Sequence, residues 1–276
     1  MTDSPPAPPP PYTAAGRALL ELLSRHRSIR RFRPDPVDAA WLDGICAQAI
    51  AGTSSSGNLN MVSIVRTQRE ERRRRLWALH FEQDMILQAP ALLTFCADTH
   101  RTRAWLAQRG ARLNFGNLVS YHVAAFDAMI LAQTVALALE AHGLGICYLG
   151  TTVESMGAIG EFLQLPDHCV PVTTLVVGHP DEAPAARDRL AVDAYVHDEV
   201  YRVHDAADID RLYGERERRG WERYRSLGAD FARRMDEAGI TSLAQFYTSE
   251  LKYDPVAFEG FSCELAELLA AKGFMP

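Results

Sequence analysis

Two arginines with a hydroxyl between them are the first residues in this chain that could do chemistry. In Arg25-His26-Arg27-Ser28-Ile29-Arg30-Arg31-Phe32 the Arg27 and Arg30 forks fall within one turn of each other, and Pro34 and Pro36 follow at once. Such a pair grips an oxyanion through charge-assisted, often bidentate hydrogen bonds. The prolines keep a helix from running on and burying it. Three further stretches could complete a site: Thr53-Ser54-Ser55-Ser56-Gly57-Asn58, then Gly143-Leu144-Gly145-Ile146-Cys147-Tyr148-Leu149-Gly150, then Arg187-Asp188-Arg189-Leu190. The serine stretch is too short to be a linker between domains and reads as a binding loop. Gly52 and Gly57 stand one residue too far apart for a nucleophile elbow. The glycines at 143 and 145 follow a helix, and a third would fall at Tyr148, so the dinucleotide fingerprint fails. No metal cluster is expected among the nine histidines, and neither a nucleophile with its base nor paired carboxylates occur in these stretches.

The elements that must hold these residues follow from periodicity and punctuation. Leu19, Leu20, Leu22 and Leu23 predict a helix over 14–24, and Asp38 caps a second that ends at Gly52. A strand is expected at 61–65, a charged helix at 68–81 with Glu70 and Glu71 four residues before Arg74 and Arg75, and a buried strand at 91–97. Residues 119–142 form a helix apolar nearly all round, which suits a core or a subunit interface. Strands at 146–149 and 170–177 flank a helix over 154–165. Helices thus alternate with four or five strands around one sheet, an α+β sandwich. Beyond Asp205 the pattern changes: 211–235 is strongly charged, with seven arginines from Arg216 to Arg234, and 241–276 is helical with a break at Lys252-Tyr253-Asp254-Pro255. The expected organisation is a disordered proline-rich tail over 1–13, a core over 14–204, and a peripheral helical extension of the same domain over 205–276.

Composition narrows the function. With 276 residues, 47% of them hydrophobic, the chain can bury a large core. A net charge of −6 argues against nucleic acid as a partner. Five scattered cysteines, with no Cys-x-x-Cys pair, suggest neither a disulfide framework nor zinc, and point to a reducing, cytoplasmic setting. The apolar helix is interrupted by His122, Asp127 and Gln133, so no membrane span is expected.

His26-Arg27-Ser28-Ile29-Arg30 with Phe32 two residues on, followed in order by the three stretches above, resembles the FMN-dependent nitroreductases. Within them it is similar to the NADPH-linked, oxygen-insensitive nitroreductases and NADPH-flavin oxidoreductases, from about Leu22 to about Tyr201. The resemblance implies a three-layer sandwich, an antiparallel-rich central sheet flanked by helices, in an intertwined homodimer with FMN at its interface. It implies a phosphate site of His26, Arg27, Ser28 and Arg30 with Arg187 and Arg189. It places Ser54, Ser55 and Ser56 near the ribityl chain and ring, Gln83 on the isoalloxazine or ribityl, and Tyr148, Leu149 and Gly150 against the ring. Two departures lie close to the flavin: Asn60 replaces a glutamine and Thr151 a second glycine. Arg216, Arg218, Arg219 and Arg223 are candidate readers of the NADPH 2′-phosphate. The implied activity is ping-pong, two-electron reduction of small molecules such as nitroaromatics, quinones or flavins by NADPH or NADH, with no side-chain catalyst. The competing readings are an FMN-binding storage or sensor protein and a dehalogenase or flavin-fragmenting enzyme of the same fold.

Overall fold

Asp38 accepts a hydrogen bond from the Trp41 amide at 2.8 Å, and the capped helix it starts, α2 (Ala39–Gly52), packs Leu42, Ile45 and Ala49 inward. The computed structural model describes residues 12–276, so the Pro5 to Pro11 run, and the expectation of a disordered tail there, lies outside the described residues. Before α2 comes α1 (Ala14–Arg25), whose Gly16 amide donates to the Thr13 hydroxyl at 3.0 Å. After it follow β1 (Val62–Thr67), α3 (Glu70–Leu79), the single turn α4 (Met85–Gln88), β2 (Ala91–Asp98), α5 (His100–Gln108), α6 (Leu118–Ala141), β3 (Gly145–Leu149), α7 (Met156–Phe162) and β4 (Cys169–Gly178). The remaining helices are α8 (Ala206–Arg225), α9 (Ala229–Glu237), α10 (Leu243–Tyr247) and α11 (Pro255–Ala271).

The four strands form one sheet in the order β1-β2-β4-β3, antiparallel throughout, with a bulge between Phe95 and Cys96 of β2. Side chains alternate across it, as the two-residue period of a strand requires. Ala91, Leu93, Phe95, Leu175, Val177 and Ile146 face α2 and α6, where they meet Leu42, Ile45, Ala128, Leu131, Ala132 and Val135. Leu92, Val176, Cys147 and Leu149 face the other way, onto Leu76 of α3, Met85 and Ile86 of α4 and Ile159 of α7. The result is the expected α+β three-layer sandwich.

The helices depart from expectation at three places. Helix α5 was not foreseen because it buries only Thr102, which leaves no apolar stripe to read. The charged run over 211–235, expected only as part of a helical extension, is two helices, since Gly228 between α8 and α9 holds φ 145°, closed to a side chain. Helix α7 starts at Met156 and stops at Phe162, inside the expected 154–165. Two compact units result: residues up to Ala186 together with Leu265–Pro276, and Arg187–Glu264. The second has its own small core of Met235, Ile240, Leu243 and Phe246 under Trp221 and Tyr224.

Candidate functional site

The basic segment leaves α1 and lies along β3. Ser28 bridges Ile146 in parallel, the Ile29 amide donates to the Ile146 carbonyl at 2.9 Å, and Phe32 bridges Pro180. Close packing locks it there: a Cβ on Gly145 would stand 2.9 Å from Ile29 Cγ1, and one on Gly178 would stand 2.9 Å from a ring carbon of Phe32. Buried Ile29 and Phe32 thereby turn the intervening Arg30 and Arg31 outward.

Neither arginine of the central pair is spent on a carboxylate. Arg27 Nη1 donates only to the Ser24 and His26 carbonyls, at 3.0 and 2.7 Å, and Arg30 Nη1 only to the Ser28 carbonyl at 3.4 Å. Among the described residues they form no ion pair, so both keep positive charge for an outside anion. Two acids stand nearby. Glu182 accepts from the Arg30 and Arg31 amides at 2.5 and 3.1 Å, fixing the backbone, and Glu140 Oε1 lies 2.7 Å from His26 Nδ1. His26 is thus committed to α6, while Arg27, Ser28 and Arg30 remain the arms of the seat.

One helix positions three of the motifs. Glu140, near the end of α6, holds His26, and Gln133 accepts from the Tyr148 hydroxyl at 3.2 Å. Burial, with Glu140 adding to it, pushes the Tyr148 phenol up to about 12, so it stays a donor. Asp127, 1% exposed, organises the serine loop: it accepts from Ser55 Oγ at 2.6 Å, the Ser56 amide at 3.0 Å and the Met61 amide at 3.3 Å. Ser55 Oγ in turn accepts from the Asn60 amide at 2.8 Å. Ser54, Ser55 and Asn60 line a cleft of about 530 Å³ with Asp127, Arg66 and Arg101, and Ser56 lines a second of about 520 Å³ with Asn117 and Ser120. A helix rises about 1.5 Å per residue, so Asp127 and Glu140 are about 20 Å apart along the axis. Within one chain, the serine loop and the arginine seat are therefore separate stations.

A third station stands at the end of β3. Leu149 is buried, Gly150 opens a short 3-10 turn that carries Thr151, and Thr151 Oγ1 meets both His80 Nδ1 at 2.9 Å and Gln83 Nε2 at 3.1 Å. Phe81 and Glu82, at φ 55° and 58°, stop α3 and swing Gln83 back to this place. Asp127, Glu140 and His80 were all missed as site residues. Their partners lie 72, 114 and 71 residues away, and no local spacing reports such pairs.

Burial alone pushes the His80 imidazole down from 6.5 to about 4. The unfolded chain therefore takes up that proton first. The stability this neutral ring contributes is complete above about 6.5 and is lost as pH falls from 6.5 toward 4. Urea melts at pH 7 and 4.5 should show a drop in midpoint that shrinks in His80→Leu. An equal drop in both proteins would assign the acid sensitivity elsewhere.

Arg187 and Arg189 open the second unit, in a stretch without regular structure, where Arg189 Nη1 donates to the Asp188 carbonyl at 3.1 Å. The four candidate readers of a 2′-phosphate all lie on α8. Arg218 and Arg219 are both paired with Glu215, which they hold down to about 2, and Arg218 also pairs with Glu222. The Arg223 guanidinium sits 4.6 Å from the Tyr224 ring centre, and Arg216 has no ion pair among the described residues. No group of histidine, cysteine and acidic side chains able to hold a metal occurs among the described residues.

Residues 23–179 match the model of the nitroreductase family. The chain is 32% identical to an FMN reductase (NADPH) of Bacillus subtilis over 187 residues, 67% of this chain and 75% of that one. It is 33% identical to an oxygen-insensitive NADPH nitroreductase of Salmonella typhimurium, over 67% of this chain and 75% of that one. Among solved structures, an NADPH:FMN oxidoreductase from Vibrio harveyi in complex with NAD+ superposes with a TM-score of 0.71 at 27% identity, covering 93% of this chain and 98% of that one.

Proposed function

Because the chain belongs to the nitroreductase family, we propose that it is an FMN-dependent oxidoreductase. It takes two electrons from NADPH or NADH and passes them to small acceptors such as nitroaromatics, quinones or flavins. The relatives named as NADPH-dependent FMN reductase and nitroreductase support this, and one observation in the structure carries it: Arg27 and Arg30, locked against β3, have no carboxylate partner among the described residues. A phosphate dianion fits that seat. Bound FMN would supply the electron chemistry, and the protein supplies orientation and charge. In this reading Arg27, Ser28 and Arg30 hold the phosphate, while His26 braces the seat through Glu140. Ser54, Ser55, Ser56 and Asn60 serve the ribityl chain and ring. Gln83, Tyr148, Leu149, Gly150 and Thr151 border the ring. Positioning two rings suffices for hydride transfer, so no side-chain nucleophile is required.

The flavin site is completed by a second copy of the chain. Val119 (73% exposed), Phe126 (59%), Met129 and Ile130 leave α6 with an apolar stripe open to solvent, although its opposite face is core. A serine loop about 20 Å along α6 from Glu140 suits a site to which each subunit contributes different stations. An obligate interface of this kind buries on the order of 2,000 to 5,000 Å². The five cysteines are all free, which supports a cytoplasmic location.

The absorption spectrum of the purified protein tests the reading. With FMN added it should hold a flavin that NADPH or NADH bleaches and a nitroaromatic reoxidises, and it should sediment as a dimer. A protein that takes up no flavin overturns the function, and a flavin-loaded monomer at micromolar concentration overturns the assembly.

A further inference from the structure

The station at the end of β3 contains a hydrogen-bond assignment that the flavin reading does not by itself require. His80 is fully buried, and among the described residues its Nε2 has no hydrogen-bond partner. Its other nitrogen lies 2.9 Å from Thr151 Oγ1. Two tautomers are open. With the proton on Nε2, an N–H would be buried unpaired, and orphaned buried N–H groups are rare in proteins because nothing replaces the water they lose. With the proton on Nδ1 only a lone pair is left bare, and the N–H donates to Thr151. Burial also keeps the ring uncharged at neutral pH, so it has a single proton to place.

Gln83 settles the rest. Its Nε2 donates both to Thr151 Oγ1 at 3.1 Å and to the His80 carbonyl at 3.1 Å. The carbonyl contact identifies the nitrogen end of the amide, since an oxygen there would face another oxygen. Thr151 Oγ1 thus accepts twice, which uses both its lone pairs. Its own proton must be given away, and among the described residues no other group receives it. The side chain is only partly buried and stands directly beyond Tyr148, Leu149 and Gly150.

We infer that Thr151 is an obligate hydrogen-bond donor to the flavin ring, made so by His80 and Gln83 acting as positioning residues. The inference rests on the flavin reading above and deepens it. The acceptor is a carbonyl oxygen or ring nitrogen of the flavin, where negative charge collects on reduction. A donor there binds the reduced ring more tightly than the oxidised one, which raises the midpoint potential.

The test is the midpoint potential of bound FMN, with its visible spectrum, in the flavin-loaded protein. Thr151→Val should cost about tenfold in the preference for reduced over oxidised flavin, a fall of about 30 mV for two electrons. Thr151→Ser should keep the wild-type potential. His80→Leu should lower it too, and His80→Asn, whose amide nitrogen can take the place of Nδ1, should restore it. Should His80→Leu fail to fold, Thr151→Val decides, since it removes one partly exposed hydroxyl. A Thr151→Val protein that holds FMN at an unchanged potential overturns this inference and leaves the flavin reading standing. A wild-type protein that binds no flavin overturns both.

Discussion

Alanine at both Arg27 and Arg30 should weaken FMN binding by about 3 to 6 kcal/mol, roughly 10² to 10⁴ in Kd, while the fold melts where the wild type does. Each guanidinium is turned outward or half-buried, bonded only to backbone carbonyls, and absent from the apolar clusters. Their loss opens no cavity. Each charge-assisted hydrogen bond to a phosphate contributes roughly 1.5 to 3 kcal/mol, and the two arms act on one ligand group, so strict additivity is not required. Fluorescence titration with FMN measures the change, and excess FMN should restore much of the turnover. A double variant whose Kd stays within about threefold of wild type would place the phosphate elsewhere.

Asp127→Ala should destabilise the protein by about 2 to 4 kcal/mol and loosen the serine loop. The carboxylate gathers Ser55 Oγ and the amides of Ser56 and Met61, and each donor stranded without an acceptor costs roughly 1 to 3 kcal/mol when buried. Met61 is buried, whereas Ser55 and Ser56 can recover water, so the lower part of the summed range applies. Asp127→Asn keeps one acceptor oxygen and should lose less. Urea titration reads the difference directly. A midpoint in Asp127→Ala equal to that of the wild type would mean that the loop holds itself.

The two variants mark where sequence reading reached and where it stopped. Arg27 and Arg30 were legible because their chemistry is local: three residues apart, bounded by prolines, with no partner needed to define them. The strands were legible for the same reason, since Leu92 and Leu93 face opposite layers yet both are buried, which reads as an unbroken apolar run. Asp127 was visible only as a charge that interrupts an apolar helix. Its partners lie across a tertiary contact, on a loop whose serines resemble any flexible segment. His80 was hidden more deeply still, since a histidine at the end of a charged helix gives no sign of burial until β3 delivers Thr151 to it. Helix α5 carries no stripe, and the α8–α9 break depended on one glycine in a run dominated by arginine.

The way the basic segment lies along β3 has a further consequence, for solubility. β3 is the last strand of its sheet, and an outermost strand with free amides and carbonyls invites pairing with another molecule's strand. Here Ser28 and Ile29 occupy the outer side of β3 at Ile146, the covering stretch is rich in arginine, and Pro34 and Pro36 end it. Arginines that would hold a phosphate therefore also repel a second strand, and proline supplies no amide with which to extend the ladder. The anion seat proposed above and this resistance to aggregation share one short segment, so selection acting on either would preserve both.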